Sequence, residues 1–156
     1  MIRERLSDSI PTGIKPMNEY FSKVKEISDS IPYLRHLGIE LVEAAEGCVK
    51  LKMNFQPYLL QPFVIHGGAI YSLADAAAAH ALMTLIAPLE MVTTVEQRIN
   101  FLRGTRERDL YCEARVVNLG KSLAYVDASI THDDGTLIAK STATLMRLDR
   151  ERYLKK

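Results

Sequence analysis

The stretch GGAIYSLADAAAAHALMTLI, residues 67–86, forms one continuous helical pattern in the middle of the chain. It is dense in alanine and leucine and contains no proline, so it predicts a helix of about 20 residues and about 30 Å. The segment is apolar on nearly every side, and a helix of that kind needs protein around it rather than water. The rest of the chain must therefore supply a surface that covers it.

Strand patterns lie on both sides of this helix. Two short runs, Ile39–Ala45 and Cys48–Phe55, precede it and are joined at Glu46-Gly47, which favours a hairpin. A loop over residues 56–65 with an apolar lining then leads into the helix. Four further strands are predicted after it, over Val92–Leu102, Leu110–Leu119, Leu123–Thr131 and Leu137–Leu148. This order predicts an α+β fold in which an antiparallel sheet of about six strands wraps the long central helix.

The two ends of the chain differ from this middle part. Residues 1–16 predict a loose leader, and apolar residues at helical spacing predict a helix from Met17 to Ser28. Pro32–His36 adds a turn before Gly38, a favoured helix C-cap. The tail, DRERYLKK at residues 149–156, predicts a charged and solvated end. We therefore divide the chain into residues 1–30, a leader with a helix, and residues 31–150, a single folded domain.

Composition places the chain among soluble globular proteins. Of its 156 residues, 47% are hydrophobic and 25% charged, and the net charge of +1 removes a bulk electrostatic case for binding nucleic acid or an anionic membrane. Cys48 and Cys112 match no metal or redox spacing, so we expect two core thiols in a reducing compartment. The first residues lack a signal-peptide core, and Asp75, His80 and Pro88 interrupt the most apolar stretch. We expect a cytoplasmic protein without a membrane span.

Two glycines open the long helix. Free N–H groups at a helix N-terminus attract negative charge, and glycine lets a ligand approach the backbone closely. The Gly67-Gly68 pair is equally compatible with a purely structural tight turn. We expect the imidazole of His66 to hydrogen-bond to the backbone at this helix start.

Asp75 lies in the middle of that helix among alanines. Burying a carboxylate costs several kcal/mol unless it is paired or faces water, so Asp75 is either a functional acid or half of a structural salt bridge with Arg98. His80 follows about 140° further around the helix and is expected to be a core or interface histidine that points away from any Asp75 site. No histidines have metal-ligand spacing, so no metal site is expected, and no nucleophile elbow, P-loop or dinucleotide-binding glycine motif occurs.

The segment HGGAIYSLADAAAAHAL at 66–82 resembles the signature of hotdog-fold acyl-CoA thioesterases of the phenylacetic-acid-degradation (PaaI-like) type. The resemblance extends from about Pro32 to Leu148 and includes GIELVEAAEGCVKLKM and TVEQRINFLRG. It implies a single hotdog domain that works as a homodimer or, as a dimer of dimers, a homotetramer. The implied reaction is hydrolysis of an acyl-CoA thioester to a free acid and CoA, with no cofactor, because coenzyme A is part of the substrate.

The resemblance also implies roles for individual residues. Asp75 matches the family's catalytic carboxylate, the Gly67 amide matches the donor to the thioester carbonyl, and His66 matches the histidine beside it. Thr94 falls near a Ser or Thr that helps to position water. Relatives carry an Asn or Gln six residues before the histidine, where this chain has Leu60, and Gln61 is the nearest replacement. The expected substrate contacts are the backbone at Gly68, the acyl-lining Leu59, Phe63, Tyr71 and Leu82, and the CoA-facing Arg103, Arg106 and Lys121.

Helix geometry adds a constraint on such a site. Gly67 and Asp75 are eight residues apart, or about 12 Å along one helix, whereas both groups must lie about 3 Å from one reacting centre. Two antiparallel helices from two subunits satisfy this requirement, so an enzyme of this type is expected to be an obligate dimer with two composite sites. Two other functions remain open at this point: a hotdog enoyl-CoA hydratase, suggested by the Asp75 and His80 pair, and a non-catalytic acyl-CoA-binding protein.

Overall fold

The computed structural model of the protein describes residues 18–155, and the predicted leader and first helical residue at 1–17 lie outside them. Four helices and eight strands follow the predicted order closely. The helices are α1 (Glu19–Ser30), α2 (Pro32–His36), α3 (Gly67–Ile86) and α4 (Arg150–Leu154). The strands are β1 (Ile39–Ala45), β2 (Cys48–Met53), β3 (Leu60–Gln61), β4 (Val64–Ile65), β5 (Glu90–Phe101), β6 (Leu110–Leu119), β7 (Leu123–Thr131) and β8 (Leu137–Asp149).

Six of the strands form one antiparallel sheet in the order β1-β2-β6-β7-β8-β5. The predicted α+β fold class, with one long helix against a six-stranded antiparallel sheet, is therefore confirmed. Strand β5 directly follows α3 in the chain, crosses to the far edge of the sheet and pairs there with β8. The described residues offer β5 a partner on one side only, so its other edge is open.

Helix α3 is the centre of the hydrophobic core. Leu73, Ala77 and Leu82 on this helix have no exposed surface, and they belong to one core cluster with inward-facing residues of the sheet. Strand β7 shows the matching alternation, since every second residue from Ala124 to Ile130 is buried. The core also includes Val24 of α1, so α1 packs onto the same domain.

The apolar character of α3 is explained by this position. By length and composition the helix could cross a membrane, but 67% of its most apolar window is buried inside the protein. The sheet and α1 supply the apolar surroundings that the helix needs. The expected cytoplasmic location stays a prediction.

Two glycines permit the turns that bracket β1. Gly47 has φ +67° in the β1–β2 hairpin and Gly38 has φ +67° just after α2, a left-handed conformation that glycine adopts without steric cost. The N–H of Gly38 donates to the Arg35 carbonyl at 3.1 Å, which closes the end of α2. The predicted hairpin and helix end are both confirmed.

Two segments contain regular structure beyond their predicted form. The loop at 56–65 contains a single 3-10 turn, Pro57–Leu59, and the small hairpin of β3 and β4. The tail forms the end of β8 and helix α4, and its described side chains are exposed, as predicted for a charged and solvated end. The two thiols are buried and free as expected, and burial raises the pKa of Cys112 well above its ordinary value.

Candidate active site

The start of α3 is held in place by His66. The imidazole Nδ1 of His66 accepts a hydrogen bond from the Gly68 N–H at 2.8 Å. The backbone N–H of His66 donates to the Leu59 carbonyl at 2.7 Å. His66 is thus the N-cap residue of the helix, as the sequence predicts. A Cβ at Gly68 would lie 2.9 Å from the capping Nδ1, so the cap requires glycine at this position.

Gly67 presents the available donor of this helix start. The N–H groups of Ala69 and Ile70 bond to the His66 carbonyl, and that of Gly68 bonds to the imidazole. Among the described residues the Gly67 N–H has no acceptor, as expected for the first residue of a helix. Gly67 lines a cleft of about 280 Å³ that is also lined by Gln61, Phe101 and Arg103.

Asp75 is half-buried and accepts a hydrogen bond from Thr94. The Thr94 Oγ1 on β5 donates to Asp75 Oδ1 at 2.7 Å, so the structure brings together these two predicted site residues from 19 positions apart in the sequence. The alternative of a salt bridge to Arg98 is wrong for residues 18–155, because Arg98 is exposed on β5 and no ion pair joins it to Asp75. A threonine hydroxyl leaves the carboxylate charge unneutralised, which keeps it available as a base or nucleophile.

A groove of about 380 Å³ runs along α3 beside Asp75. One wall is α3 itself, with Tyr71, Ser72 and Ala79, and the other is α2 with Tyr33. The hydroxyls of Tyr33 and Ser72 are 2.9 Å apart and share a hydrogen bond. Sequence reasoning missed both residues. Ser72 precedes Asp75 by about one helical turn, and this spacing could have indicated that both lie on the same face of α3. No local sequence pattern connects Tyr33 with that helix.

His80 lies in the wall of the same groove. It is 1% exposed, its Nδ1 is 2.6 Å from the Ala76 carbonyl oxygen, and burial lowers the pKa of the imidazole below its ordinary value. The prediction of a core histidine is confirmed. Its imidazole has almost no accessible surface in this groove, so the expectation that it points away from the Asp75 site stays a prediction.

The remaining predicted residues are distributed differently. Leu59 and Leu82 are buried in the core and Phe63 is 74% exposed at the β3–β4 turn, so none of these three borders the Asp75 groove. Arg103 follows β5 and donates to the Leu137 carbonyl, and the exposed Arg106 lies in the loop after it. Lys121 lies in the β6–β7 turn, near the start of β5. Because β5 spans about 40 Å, one chain does not present Arg103 and Lys121 to a single ligand.

In the part of the chain that the structure covers, no three His, Cys, Asp or Glu side chains come together as a metal site. The two features with catalytic geometry are the Gly67 cleft and the Asp75 groove. They lie about 12 Å apart along one helix, so one subunit does not bring both to the same reacting atom.

We compared the chain with known proteins and solved structures. Residues 64–139 match the model of the thioesterase superfamily. A relative from Saccharolobus solfataricus named "Putative esterase" is 34% identical over 79% of this chain and 82% of its own length. The medium/long-chain acyl-CoA thioesterase YigI of Salmonella typhimurium is 26% identical over 74% of this chain and 85% of its own length. The crystal structure of a thioesterase family protein from Silicibacter pomeroyi aligns with a TM-score of 0.78 and 31% identity, covering 83% of this chain and 98% of that one.

Proposed function

Because the chain belongs to the thioesterase superfamily, we propose that it hydrolyses an acyl-CoA thioester to a free acid and CoA. The observation that carries this proposal is the Asp75 carboxylate, hydrogen-bonded by Thr94 at 2.7 Å in the wall of an apolar groove. The acyl-CoA substrate of the Salmonella relative supports the same substrate class. We propose in addition that the enzyme is of the PaaI-like type, as the signature at 66–82 implies, and that it acts in the cytoplasm.

The proposed site is completed by two subunits. Each α3 contributes its Gly67 N–H to one site and its Asp75 to the other, because the two groups lie too far apart on one helix to share a substrate. The open edge of β5 supports a homodimer. This strand is 12 residues long, Val95 and Phe101 on it are 55% and 52% exposed, and the unpaired backbone groups of a long edge strand are suited to pairing with another chain. A pair of such dimers would form the homotetramer.

In the proposed mechanism the Gly67 N–H and the helix dipole polarise the thioester carbonyl and stabilise the developing oxyanion. Such a donor is worth about 3 kcal/mol in the transition state. Asp75 of the other subunit acts either as general base on a water or as the nucleophile. In the first case the water oxygen bonds to the carbonyl carbon, Asp75 takes the proton, and the carbon–sulfur bond breaks. The CoA thiolate then leaves and takes up a proton.

Thr94 has two tasks in this scheme. Its hydroxyl group donates a hydrogen bond to Asp75, which orients the carboxylate. The lone pairs on the same oxygen remain free to accept a hydrogen bond from the attacking water. Gln61 lies in the cleft of Gly67 and would orient the thioester or the water there. Arg103 in the same cleft and Lys121 of the partner subunit are the proposed contacts of the CoA phosphates.

The experiment that tests the proposal is thiol release from a panel of aryl and straight-chain acyl-CoAs. We expect turnover by the wild-type protein and a loss of at least about 100-fold in kcat for Asp75→Asn, which removes the charge but keeps the shape. Asp127→Asn is the matched control, since Asp127 is exposed on β7 away from α3 and the substitution should leave kcat unchanged. Turnover of no acyl-CoA would reject the proposal in favour of hydration or ligand binding. Equal turnover by Asp75→Asn, with its fold and assembly intact, would reject Asp75 as the catalytic carboxylate.

A further inference from the structure

A buried pair of polar side chains lies next to the cleft of Gly67. Thr105, in the loop that follows β5, is 3% exposed, and His132, in the β7–β8 turn, is 7% exposed. The Thr105 Oγ1 and the His132 Nε2 are 3.0 Å apart and share a hydrogen bond. Hydrogen bonds depend on both distance and direction, so this pair fixes the two loops relative to each other.

The other ring nitrogen of His132 decides the direction of this bond. Nδ1 is 3.2 Å from the Asp109 carbonyl oxygen, and a carbonyl oxygen only accepts, so Nδ1 carries a proton. In a neutral imidazole Nε2 is then an acceptor, and the Thr105 hydroxyl donates to it. The backbone of His132 is held as well, since its N–H donates to the Thr136 carbonyl at 3.0 Å. Thr105 is therefore bonded to a residue that is itself held by its ring and by its backbone.

The backbone of Thr105 connects this pair with the start of α3. Its carbonyl accepts a hydrogen bond of 2.8 Å from the Ile65 N–H on β4. Ile65 directly precedes His66, the N-cap residue, and Gly67 follows. Thr105, Ile65 and Gly67 all line the same cleft. A short path of hydrogen bonds therefore leads from His132 to the strand that ends at the proposed oxyanion donor.

Contacts of this kind matter most at the beginning of a helix. The first N–H groups of a helix lack partners within it, so the segment before Gly67 is held by bonds to other elements. Two such bonds are present, from the Ile65 N–H to the Thr105 carbonyl and from the His66 N–H to the Leu59 carbonyl. An oxyanion donor acts only within a narrow range of about 2.7 to 3.1 Å from the developing charge. A small shift of this segment would therefore affect catalysis.

We propose that Thr105 and His132 are positioning residues for the reaction, and that their hydrogen bond holds the β4 backbone so that the Gly67 N–H meets the thioester carbonyl. The inference rests on the proposed thioesterase function and extends its site to two residues outside α3 and β5. Both side chains act through Ile65 rather than on the substrate. Since the oxyanion forms only in the transition state, their contribution belongs to kcat and not to KM.

The test removes the Thr105 hydroxyl and follows hydrolysis of the best acyl-CoA of the panel. Thr105→Val keeps the side-chain shape, and we expect kcat to fall by about 10-fold to 100-fold at an unchanged KM. Thr105→Ser keeps the hydroxyl and should stay close to wild type. Thr84→Val is the matched control, because Thr84 is 1% exposed and its hydroxyl is also hydrogen-bonded, but it lies near the far end of α3. This control should lower stability and leave kcat of the folded protein unchanged.

A second comparison separates positioning from general stability. Gly67→Pro removes the donor N–H itself, so in that background Thr105→Val should not lower kcat further. A purely structural role of Thr105 would lower kcat by the same factor in both backgrounds.

Substitutions at His132 test the same hydrogen bond from its other end. His132→Gln keeps a side-chain oxygen that can accept from the Thr105 hydroxyl, whereas His132→Phe has no acceptor. We expect the glutamine variant to keep more of the wild-type kcat than the phenylalanine variant. This pair decides the question if Thr105→Val does not fold.

The results that would overturn the inference leave the proposed function standing. One is a folded Thr105→Val with wild-type kcat, and another is an equal loss with and without Gly67→Pro. A His132→Gln variant that loses as much kcat as His132→Phe would also contradict it. Turnover of no acyl-CoA by the wild-type protein would instead remove the proposed function, and the inference with it.

Discussion

Gly67 has a free N–H and also occupies the first position of a helix, so the two properties need to be tested separately. It is the first residue of α3, where proline is tolerated because its missing N–H has no helical partner. The preceding His66 has φ −59° and ψ 133°, the extended conformation that a following proline requires. The chain therefore allows the proposed oxyanion donor to be deleted while the helix is kept.

We predict that Gly67→Pro lowers kcat by about 100-fold to 1000-fold, because the oxyanion donor is lost. The unfolding temperature should change little, because proline fits the conformation of the helix start. Gly67→Ala is the steric control. Its Cβ would lie 3.2 Å from the Phe101 ring, so it adds similar crowding but retains the N–H, and its loss should be much smaller. Steady-state kinetics and thermal unfolding of both variants test this, and equal losses would show that crowding by Phe101 is the cause.

The hydrogen bond between Thr94 and Asp75 offers a second test at the scale of single residues. We predict that Thr94→Val, which keeps the side-chain shape, lowers kcat about tenfold, the equivalent of one hydrogen bond to a charged group. Thr93→Val makes the same change at the exposed neighbouring position on β5 and should have no effect. Kinetics on the best acyl-CoA decide the matter. Equal rates for Thr94→Val and wild type would remove Thr94 from the proposed mechanism.

At the scale of elements, Arg147 ties together three parts of the sheet. Its guanidinium, near the end of β8, donates two hydrogen bonds of 2.6 Å to the Glu90 carboxylate at the start of β5. It also donates to the Gly120 carbonyl in the β6–β7 turn at 3.0 Å. The hydrogen bonds from Arg147 lower the pKa of the Glu90 carboxyl. The pair thus anchors the strand that carries Thr94.

We predict that Glu90→Gln lowers the free energy of unfolding by about 1 kcal/mol at pH 7. Since the folded-state pKa of Glu90 is below the unfolded-state value of about 4.3, the stabilisation is complete above that value and is lost as the pH falls through the folded-state pKa. The gap between wild type and variant should therefore shrink below about pH 4. Urea unfolding at pH 7 and pH 3.5 measures it.

Glu151→Gln is the control for this prediction. The Glu151–Lys155 pair has a nitrogen–oxygen distance of 3.4 Å and side chains that are 86% and 77% exposed, so water screens the interaction. Its loss should not change stability at either pH. A gap for Glu90→Gln that stays constant with pH would contradict the ionic origin of the effect.

At the scale of the whole molecule, the composite site makes a prediction that no single-subunit site can satisfy. Asp75→Asn and Gly67→Pro each inactivate both sites of a homodimer. A mixed dimer, however, has one site with both changes and one site with neither. After co-expression and statistical mixing, half of the dimers are mixed and half of their sites are intact, so we predict recovery of about a quarter of wild-type activity.

Differently tagged subunits allow the mixed dimer to be isolated and its activity per site measured. A mixture of the two separately purified homodimers, kept under conditions where subunits do not exchange, is the control and should stay inactive. Mixed dimers without activity would mean that Gly67 and Asp75 of one chain serve one site, or that no second chain is involved.

Much of the fold and part of the site follow from local sequence. The run at 67–86 predicts α3 with its observed bounds, and alternating residues predict β6 and β7 at their observed bounds, because helical and strand periodicity are properties of neighbouring residues. The sequence also indicates that Asp75 is important, since it is a charged residue within a helix that is otherwise almost entirely apolar.

Contacts between distant segments depended on the tertiary structure. The placement of β5 beside β8 brings Thr94 to Asp75, and the packing of α2 over α3 brings Tyr33 to Ser72, 39 residues away. Helical angle describes where a side chain leaves its own helix, whereas the walls of a cavity are formed by the elements that pack against that helix. Local periodicity carries no information about those partners.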